Sequence, residues 1–363
     1  MMPLASSRAA MRADFLSRSG WGSARAEPLA GDASTRSYER LQLGGAKALL
    51  MNAPPAAEGA ACPEDATPEE RRALGYNALA RLAGPNLHAF TSIAEALRRS
   101  GLSAPEIYAA DAKAGFALIE DFGDALYARA IPAGADEKSL YAAAVEALLH
   151  LCKAHPSVEA SADYAMLTYD RKALEAEVAL FVEWYWPFRK GGRPNSSLEA
   201  EYFAAWAPVL DALSKPSGLV LRDYHAENLF WLPGREGARR TGIIDFQDGL
   251  IGAAAYDLVS LLEDARRDVP EDLAAGMIER YCGGARDLGP FDEAGFRRDY
   301  AILAAQRNAK ILGIFARLVQ RDRKPRYESL LPRVEAHFRR DLARPALAPL
   351  RAFFAAHFPD LAA

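Results

Sequence analysis

Three oxygen-bearing side chains stand where they could hold a metal ion and move a proton. Asp223 and Asn228 are five residues apart in "LRDYHAEN", between the apolar segments "GLV" and "LFWL", and Asp245 follows another apolar segment in "GIIDFQD". Carboxylate and amide oxygens are the hard ligands that Mg²⁺ prefers, and phosphate oxygens commonly complete its shell. The remaining carboxylate could orient and deprotonate an attacking hydroxyl group. These residue types indicate a metal and phosphate site with a base beside it.

Short strands must bring these side chains together. "GLVLRD" and "TGIIDF" each contain a short apolar run that predicts a strand, and they interrupt a sequence that is otherwise helical after Asp124. If the two strands are neighbours in one hairpin, Asp223, Asn228 and Asp245 converge at one end of it. Loops on a packed scaffold commonly carry catalytic groups.

The first third of the chain is richer in strands. "SYERLQL" and "KALLMNA", separated by "GGA", predict a hairpin, and "GFALIEDFGD" predicts a buried strand that leaves into a turn. Residues 54–85, rich in Ala, Pro and Glu, indicate an insertion with one polar helix over about 68–83. "LHAFTSIAEALRRSG" has the apolar spacing of an amphipathic helix capped by Gly101. The chain is therefore predicted to be α+β, with two lobes joined near residues 121–124.

Composition is that of an ordinary globular protein. The 363 residues suggest two lobes or domains, and a net charge of -4 with a pI near 6.0 gives no general attraction to nucleic acid or an anionic membrane. Cys62, Cys152 and Cys282 are too scattered for a disulfide framework, which favours a reducing compartment. No apolar run reaches the roughly 18 residues of a membrane span. We expect a cytoplasmic protein with a helical extension at residues 1–26, although that stretch could also pass for a weak transit helix.

The motifs resemble those of a known family. "RDYHAEN" and "IIDFQD" are similar to the catalytic loop and metal-binding motif of the aminoglycoside/choline phosphotransferase family, whose fold is protein-kinase-like. The resemblance implies a two-lobed α+β fold, with a small β-rich nucleotide-binding lobe at residues 27–121. The helical lobe, at residues 122–363, would carry the catalytic loop and the acceptor site. ATP and Mg²⁺ are the implied cofactors.

Roles for the motif residues follow from the resemblance. Asp223 is the expected catalytic base, and Asn228 and Asp245 are the expected Mg²⁺ ligands. Three residues are expected to support the loop: Arg222, His225 and Asp257. His225 could instead be a second base, and Asp248 could either join the metal site or cap the following turn.

The resemblance also places ATP against the first lobe. In "LAGDASTRSYERL", Gly31, Ser34 and Thr35 form a predicted turn between strands, where backbone N–H groups could cover the phosphates. "LIEDFGD" matches the strand and hinge at which family members bind adenine through backbone groups, around Glu120 and Phe122.

Two positions depart from the family pattern. Leu221 stands where the kinase loop usually begins with His, and Met51 stands where relatives carry the phosphate-binding Lys of the third strand. Lys47 lies on the same strand face but about 13 Å away along an extended chain. Arg36 could take the phosphate role instead, or be a solvated surface residue. Glu95 could mirror the helix Glu that pairs with the missing Lys, or lie on the surface.

A narrower resemblance covers most of the chain. Segments such as "GDASTRSYERL", "LRDYHAENLFWLP" and "AQRNAKILGIFARLVQRDRKPRY" occur in order from about residue 31 to 327 and are similar to the bacterial N-acetylmuramate/N-acetylglucosamine kinases of cell-wall recycling. That family phosphorylates the anomeric hydroxyl of an amino sugar. In "FVEWYW", Glu183 and Trp184 could contact the sugar, although such an aromatic cluster is also typical of a core. The implied partners are ATP and a small sugar, bound by a monomer.

Two other functions compete with this one. A kinase for a cationic acceptor, such as an aminoglycoside or choline, should present clustered carboxylates to its substrate. Residues 317–351 instead hold ten Lys and Arg against four Asp and Glu, which suits an anionic acceptor, although solvated helix faces explain the bias nearly as well. A nucleotide-binding pseudokinase is suggested by Met51 and Leu221, but the presence of Asp223, Asn228 and Asp245 together argues against it.

Overall fold

The fold is that of a computed structural model, which describes residues 7–29, 36–55, 59, 61–158 and 164–363. Gly31, Ser34 and Thr35, predicted to cover the ATP phosphates, lie outside the described residues. Among the described residues, no helix combines the length and apolar character needed to cross a membrane.

The N-terminal lobe is built on one antiparallel sheet with the strand order β1-β2-β3-β5-β4. The strands are β1 (Arg25–Pro28), β2 (Ser37–Leu43), β3 (Ala46–Asn52), β4 (Ile107–Asp111) and β5 (Phe116–Ile119). β2 and β3 pair from Ser37 with Asn52 to Leu43 with Ala46, and Gly44 turns between them at φ +60°. The predicted hairpin and the predicted buried strand at β5 are confirmed.

Helices cover both faces of this sheet. The described helices of the lobe are α1 (Arg8–Arg18), α2 (Pro68–Leu74), α3 (Tyr76–Leu79) and α4 (Leu87–Arg99). On one face, Phe15 of α1 stacks on Phe116 of β5 with ring centroids 5.6 Å apart. On the other face, Ile93 and Leu97 of α4 join Met51 in the main core. The N-terminal helix is therefore a packed layer of the lobe, and the helix ending before Gly101 is confirmed.

The insertion does not contain the single helix predicted over about 68–83. α2 begins at a capping box made by Thr67 and Glu70 and ends at Gly75, which has φ +94°. A left-handed backbone cannot continue a right-handed helix, so the chain turns there before α3. The prediction was wrong because one glycine divides the segment.

The C-terminal lobe is helical. Its described α-helices are α5 (Tyr127–Ala130), α6 (Glu137–Ala154), α7 (Arg171–Leu180), α8 (Trp186–Lys190), α9 (Ser196–Asp211), α10 (Ala255–Leu262), α11 (Glu271–Leu288), α12 (Glu293–Gln320), α13 (Leu331–Leu342), α14 (Ala348–His357) and α15 (Pro359–Ala362). A π-helical turn, Phe181–Tyr185, joins α7 to α8. α12 is the central helix, because it packs on α7, the π-helical turn, α10 and α13.

A close helix contact fixes the position of α12. A Cβ added at Gly313 would lie 2.4 Å from the backbone carbonyl carbon of Leu180. Only glycine therefore permits this approach between α12 and the end of α7.

Two small sheets lie between the lobes. They pair β6 (Gly218–Val220) with β9 (Leu250–Gly252), and β7 (Leu229–Trp231) with β8 (Thr241–Ile243). The predicted hairpin of "GLVL" with "TGII" is therefore wrong, since each of these strands pairs with another partner. Three-residue strands carry too little pattern to specify a partner.

Candidate active site

The small sheets nevertheless bring the three motif residues together. The loop of residues 221–228 connects β6 to β7, and Asp245 follows β8. Nδ2 of Asn228 donates to the backbone carbonyl of Asp223 at 2.9 Å and lies 3.4 Å from Oδ2 of Asp245. The convergence predicted from the sequence is present, although by a different strand pairing.

Asp257 on α10 holds the beginning of this loop. Its carboxylate accepts the backbone N–H groups of Leu221 at 2.8 Å and Arg222 at 2.9 Å. Arg222 has φ +70°, a strained conformation that these two bonds help to maintain. Burial raises the pKa of Asp257 to about 7, while the two backbone donors act in the opposite direction. Leu221 is buried, so it fills the family's His position by packing.

The His225 side chain is buried beneath the backbone of its own loop. Its Nε2 is 3.4 Å from both Nδ2 of Asn228 and Nη1 of Arg266. Both neighbours are donors, so Nε2 acts as the acceptor of a neutral imidazole. Burial lowers the pKa of His225 to about 4, which agrees with this tautomer. The arrangement favours loop support over a second base.

Asp245 is the carboxylate that faces the sheet lobe. It has φ +60°, its Oδ1 accepts from Nε2 of Gln247 at 3.0 Å, and the same oxygen lies 3.6 Å from Nη1 of Arg36. Burial and the negative charge of Asp223 raise the pKa of Asp245. Two carboxylates repelling each other beside an amide oxygen form a donor set that suits a divalent cation.

Asp248 makes a contact that neither of its two predicted roles describes. Its Oδ1 accepts the backbone N–H of Ala83 at 2.7 Å, so it ties the insertion to the active-site loops. Among the described residues, no group of three or more His, Cys, Asp or Glu side chains is arranged to hold a metal by itself. The oxygen atoms of Asn228 and Asp245 are of the kind that binds Mg²⁺ together with phosphate oxygens.

The structure separates the candidate phosphate-binding cations. Met51 is buried, and the hydroxyl of Tyr38 lies 3.4 Å from its sulfur, so this position carries no charge to the site. Lys47 is exposed. Glu95 is also exposed, within 3.8 Å of Arg99 on its own helix. Of these candidates, only Arg36 lies beside the motif carboxylates.

The predicted hinge follows β5 directly. The N–H of Glu120 donates to the carbonyl of Glu106 at 2.9 Å, and its carboxylate pairs with Arg235. The ring of Phe122 packs edge-on against Phe230 at 5.6 Å. The side chains are thus structural, and any adenine contact in this hinge would use the Glu120 carbonyl and the Phe122 N–H.

A cavity of about 210 Å³ opens beside Asp223. Its lining residues come from α3, α7, α12 and the loops around the motif residues, and its charged members are Arg222, Arg266, Arg307, Lys310, Arg317, Glu177, Asp223 and Asp248. Five cationic side chains thus face three carboxylates. The cavity is suited to a small polar molecule that carries negative charge.

Glu177 organises the inner wall of this cavity. Its carboxylate pairs with Arg222 and lies 3.4 Å from Nζ of Lys310, which also bonds to the hydroxyl of Tyr256 at 2.7 Å. Although burial acts to raise the pKa of Asp223, the positive charges around it, led by that of Lys310, hold its pKa below the ordinary value. Asp223 is therefore ionised and can accept a proton.

Glu183 and Trp184 lie on the π-helical turn, outside the cavity lining. Burial raises the pKa of Glu183, and the guanidinium of Arg321 lies 5.9 Å from the Trp184 ring. Their sugar contact stays a prediction that the cavity beside Asp223 does not support.

Sequence reasoning included Arg317 in the basic span of residues 317–351 but missed the rest of the cavity side of α12. Arg307, Lys310, Ile314 and Arg317 recur at helical spacing along one side of this helix. The stripe is visible in "QRNAKILGIFAR", but charged residues on a helix are usually solvated, and only tertiary packing distinguishes this stripe from an exposed one.

Comparison with known proteins supports the same chemistry. The chain matches the phosphotransferase enzyme family over residues 25–294. It is 47% identical, over 99% of both chains, to the N-acetylmuramate/N-acetylglucosamine kinase of Caulobacter vibrioides. It is 32% identical to the protein of the same name from Pseudomonas aeruginosa, over 91% of this chain and 89% of that one.

Solved structures of the same fold are more distant in sequence. A putative aminoglycoside phosphotransferase from Ralstonia eutropha superposes with a TM-score of 0.56 at 12% identity, covering 91% of this chain and 97% of the other. A choline/ethanolamine kinase family protein from Mesorhizobium loti gives a TM-score of 0.55 at 15% identity, covering 94% and 99%. At such identities the likeness establishes the protein-kinase-like fold alone.

Proposed function

Since the chain belongs to the phosphotransferase enzyme family, we propose that it transfers a phosphoryl group from ATP to the anomeric hydroxyl of N-acetylmuramate or N-acetylglucosamine. These are the acceptors in the names of its relatives. The observation that carries the proposal is the cavity beside Asp223, where five cationic side chains face three carboxylates. Such a cavity suits an acidic sugar, and the product would be a sugar 1-phosphate for cell-wall recycling.

In this proposal Asp223 is the general base. Its carboxylate lines the cavity and is ionised, so it accepts the proton of the acceptor hydroxyl as the new P–O bond forms and the bond to the leaving ADP breaks. An anomeric hydroxyl is more acidic than an ordinary alcohol, so a carboxylate is a sufficient base. Asn228 keeps Asp223 in place through its bond to the Asp223 carbonyl.

Asn228 and Asp245 would hold Mg²⁺, which neutralises charge on the phosphate oxygens when bound. Arg36, beside Asp245, would bind a phosphate group of ATP. The nucleotide would lie against the sheet lobe, residues 27–121, and its adenine against the Glu120–Phe122 hinge. The acceptor would bind in the helical lobe, residues 122–363. We expect a monomer that works where ATP is abundant, in the cytoplasm.

The cavity charge also weighs against the alternatives. A site for an aminoglycoside or a choline-like acceptor would gather carboxylates around a cation, whereas here cations are in excess. A pseudokinase would have no use for an ionised Asp223 beside a polar cavity. The arrangement of Asp223, Asn228 and Asp245 favours catalysis over a pseudokinase, whereas only the charge of the cavity distinguishes between acceptors.

The test is an acceptor panel with purified protein, ATP and Mg²⁺. The panel holds N-acetylmuramate, N-acetylglucosamine, galactose, kanamycin, choline and homoserine, and ADP release is followed for each. We expect ADP release with the two amino sugars and background rates with the rest. A preference for kanamycin or choline would refute the proposal. If none of the six acceptors gives ADP release while MgATP still binds, the result would favour a pseudokinase.

A further inference from the structure

The cavity lining includes a guanidinium, that of Arg317, whose buried Nε–H has no acceptor among the described residues. Arg317 is half-buried on α12, with Cζ 5.6 Å from the ring centroid of Tyr76. Its Nε is buried and has no hydrogen-bond partner among the described residues. Burial lowers the pKa of Arg317, as expected for a cation held away from water. A buried N–H group without a protein partner costs free energy unless a bound molecule supplies an acceptor.

The other cavity cations are engaged by the protein. Arg222 and Lys310 share Glu177, Arg266 pairs with Glu227 at 2.9 Å, and Arg307 donates to the backbone carbonyl of Glu263 at 3.3 Å. Within the described part of the chain, Arg317 is the cavity cation left with neither a carboxylate nor a carbonyl.

The neighbours of Arg317 do not supply the missing acceptor. Glu183 and Asp322 are the acids whose negative charges act on the Arg317 guanidinium. Asp322, however, pairs with Arg321 at 2.7 Å. Among the described residues, neither acid lies within ion-pair distance of Arg317. The guanidinium instead lies over the Tyr76 ring, a contact that occupies none of its N–H groups as a conventional hydrogen bond would.

Arg317 and Lys310 lie on the same helix, α12, so their separation shows how far Arg317 is from the residue that acts on Asp223. Lys310, whose charge acts on Asp223, precedes Arg317 by seven residues, or about 10 Å along a helix axis. Both line the same cavity. A sugar whose anomeric hydroxyl meets Asp223 would therefore extend its far substituents toward Arg317.

We propose that Arg317 binds the lactyl carboxylate of N-acetylmuramate and so determines how well this acidic sugar is used relative to N-acetylglucosamine. The inference rests on the proposed function, because it assumes that both sugars bind with the anomeric hydroxyl at Asp223. N-acetylglucosamine lacks the lactyl group and has nothing to offer this guanidinium. A planar fork of N–H donors matches a carboxylate well.

The test compares both sugars in Arg317→Gln. We expect kcat/KM for N-acetylmuramate to fall roughly ten- to hundredfold, mainly through KM, since a hydrogen bond to a charged group is lost. The values for N-acetylglucosamine should stay nearly unchanged, which also reports that the variant folds. Arg317→Lys keeps the charge and should restore part of the loss. Arg323→Gln is the matched control, because Arg323 is an exposed cation just beyond α12 and outside the cavity lining.

A neutral substrate supplies the complementary measurement. The methyl ester of N-acetylmuramate lacks the carboxylate charge, so wild type should use it poorly and Arg317→Gln should treat the ester and the acid alike. Equal losses for both sugars in Arg317→Gln, or an unchanged preference for the acid, would overturn the inference. If wild type phosphorylates neither sugar, the proposed function itself fails, which is a different result.

Discussion

Arg36 and Asp245 meet between the two lobes, with Nη1 of Arg36 3.6 Å from Oδ1 of Asp245. Arg36 stands directly before β2, and Asp245 directly follows Ile244 after β8. The Arg36 side chain is 12% exposed and that of Asp245 is 42% exposed, so the contact is shielded from solvent mainly on the Arg36 side. Because Met51 stands where the family pattern places lysine on β3, we propose that Arg36 brings positive charge from the sheet lobe to the ATP phosphates.

Replacing Arg36 should therefore weaken nucleotide binding. In Arg36→Gln we expect KM for ATP to rise at least about tenfold, because a charged hydrogen bond to phosphate is lost. Lys47→Gln is the control, since Lys47 is an exposed cation on β3 away from the site. Steady-state kinetics at saturating acceptor separate the two. An unchanged KM in Arg36→Gln would remove this residue from the nucleotide site.

Asp223 should be needed for chemistry but not for binding. Asp223→Asn keeps the size of the side chain and its backbone bond with Asn228, but the amide cannot take a proton. We expect kcat to fall at least about a hundredfold, while MgATP affinity, measured by calorimetry, stays close to that of wild type. Near-normal turnover would show that another group is the base.

The buried Glu177 should stabilise the fold as well as the cavity. Glu177→Gln leaves Arg222 and Lys310 buried without their carboxylate, so we expect the free energy of unfolding to fall by about 3 kcal/mol. Glu271→Gln, which removes an exposed carboxylate paired with Arg340, should leave it nearly unchanged. Urea denaturation measures both. Equal stabilities for the two variants would mean that the buried pair contributes nothing.

The buried carboxyl group of Asp341, on α13, should make the free energy of unfolding depend on pH. Nδ2 of Asn308 bonds both Glu263 at 2.8 Å and Asp341 at 2.9 Å, and burial followed by the charge of Glu263 raises the pKa of Asp341 well above its ordinary value. The folded protein then binds a proton that the unfolded chain releases. The stabilisation from Asp341 is thus complete in acid and is lost as pH rises through the folded pKa.

Asp341→Asn should remove this dependence. Between pH 5 and pH 8 we expect the free energy of unfolding of wild type to decline more steeply than that of the variant. Asp268→Asn is the control, because its surface pairing with Arg333 lowers the pKa of Asp268 and any effect belongs to more acidic solutions. Parallel pH profiles for wild type and Asp341→Asn would contradict the assignment.

Local signals explain what could be predicted from the sequence. The β2–β3 hairpin has alternating residues and a glycine turn, and α4 has a clear apolar stripe with Gly101 after it, so neighbouring residues specify both. The motif residues Asp223, Asn228 and Asp245 were recognisable because their spacing along the chain does not depend on which strands pair.

The rest depends on contacts between distant parts of the chain. β6 pairs with β9 and β7 with β8, a choice that three-residue strands do not encode. The basic bias of residues 317–351 was only a partial guide, because Arg317 lines the cavity whereas residues such as Arg333 and Arg340 pair with surface acids. Three of the five cavity cations, Arg307, Lys310 and Arg317, are on α12, where a charged stripe cannot be told from an ordinary solvated face until the helix is packed.

The most direct test of the account is the position of the phosphate in the product. Phosphorus NMR of the reaction with N-acetylglucosamine, ATP and Mg²⁺ should show a sugar 1-phosphate, with coupling to the anomeric proton. The 1-O-methyl glycoside of the same sugar lacks the attacking hydroxyl and should give no product. Phosphorylation of that glycoside at a comparable rate would place the reaction at another hydroxyl and contradict the account.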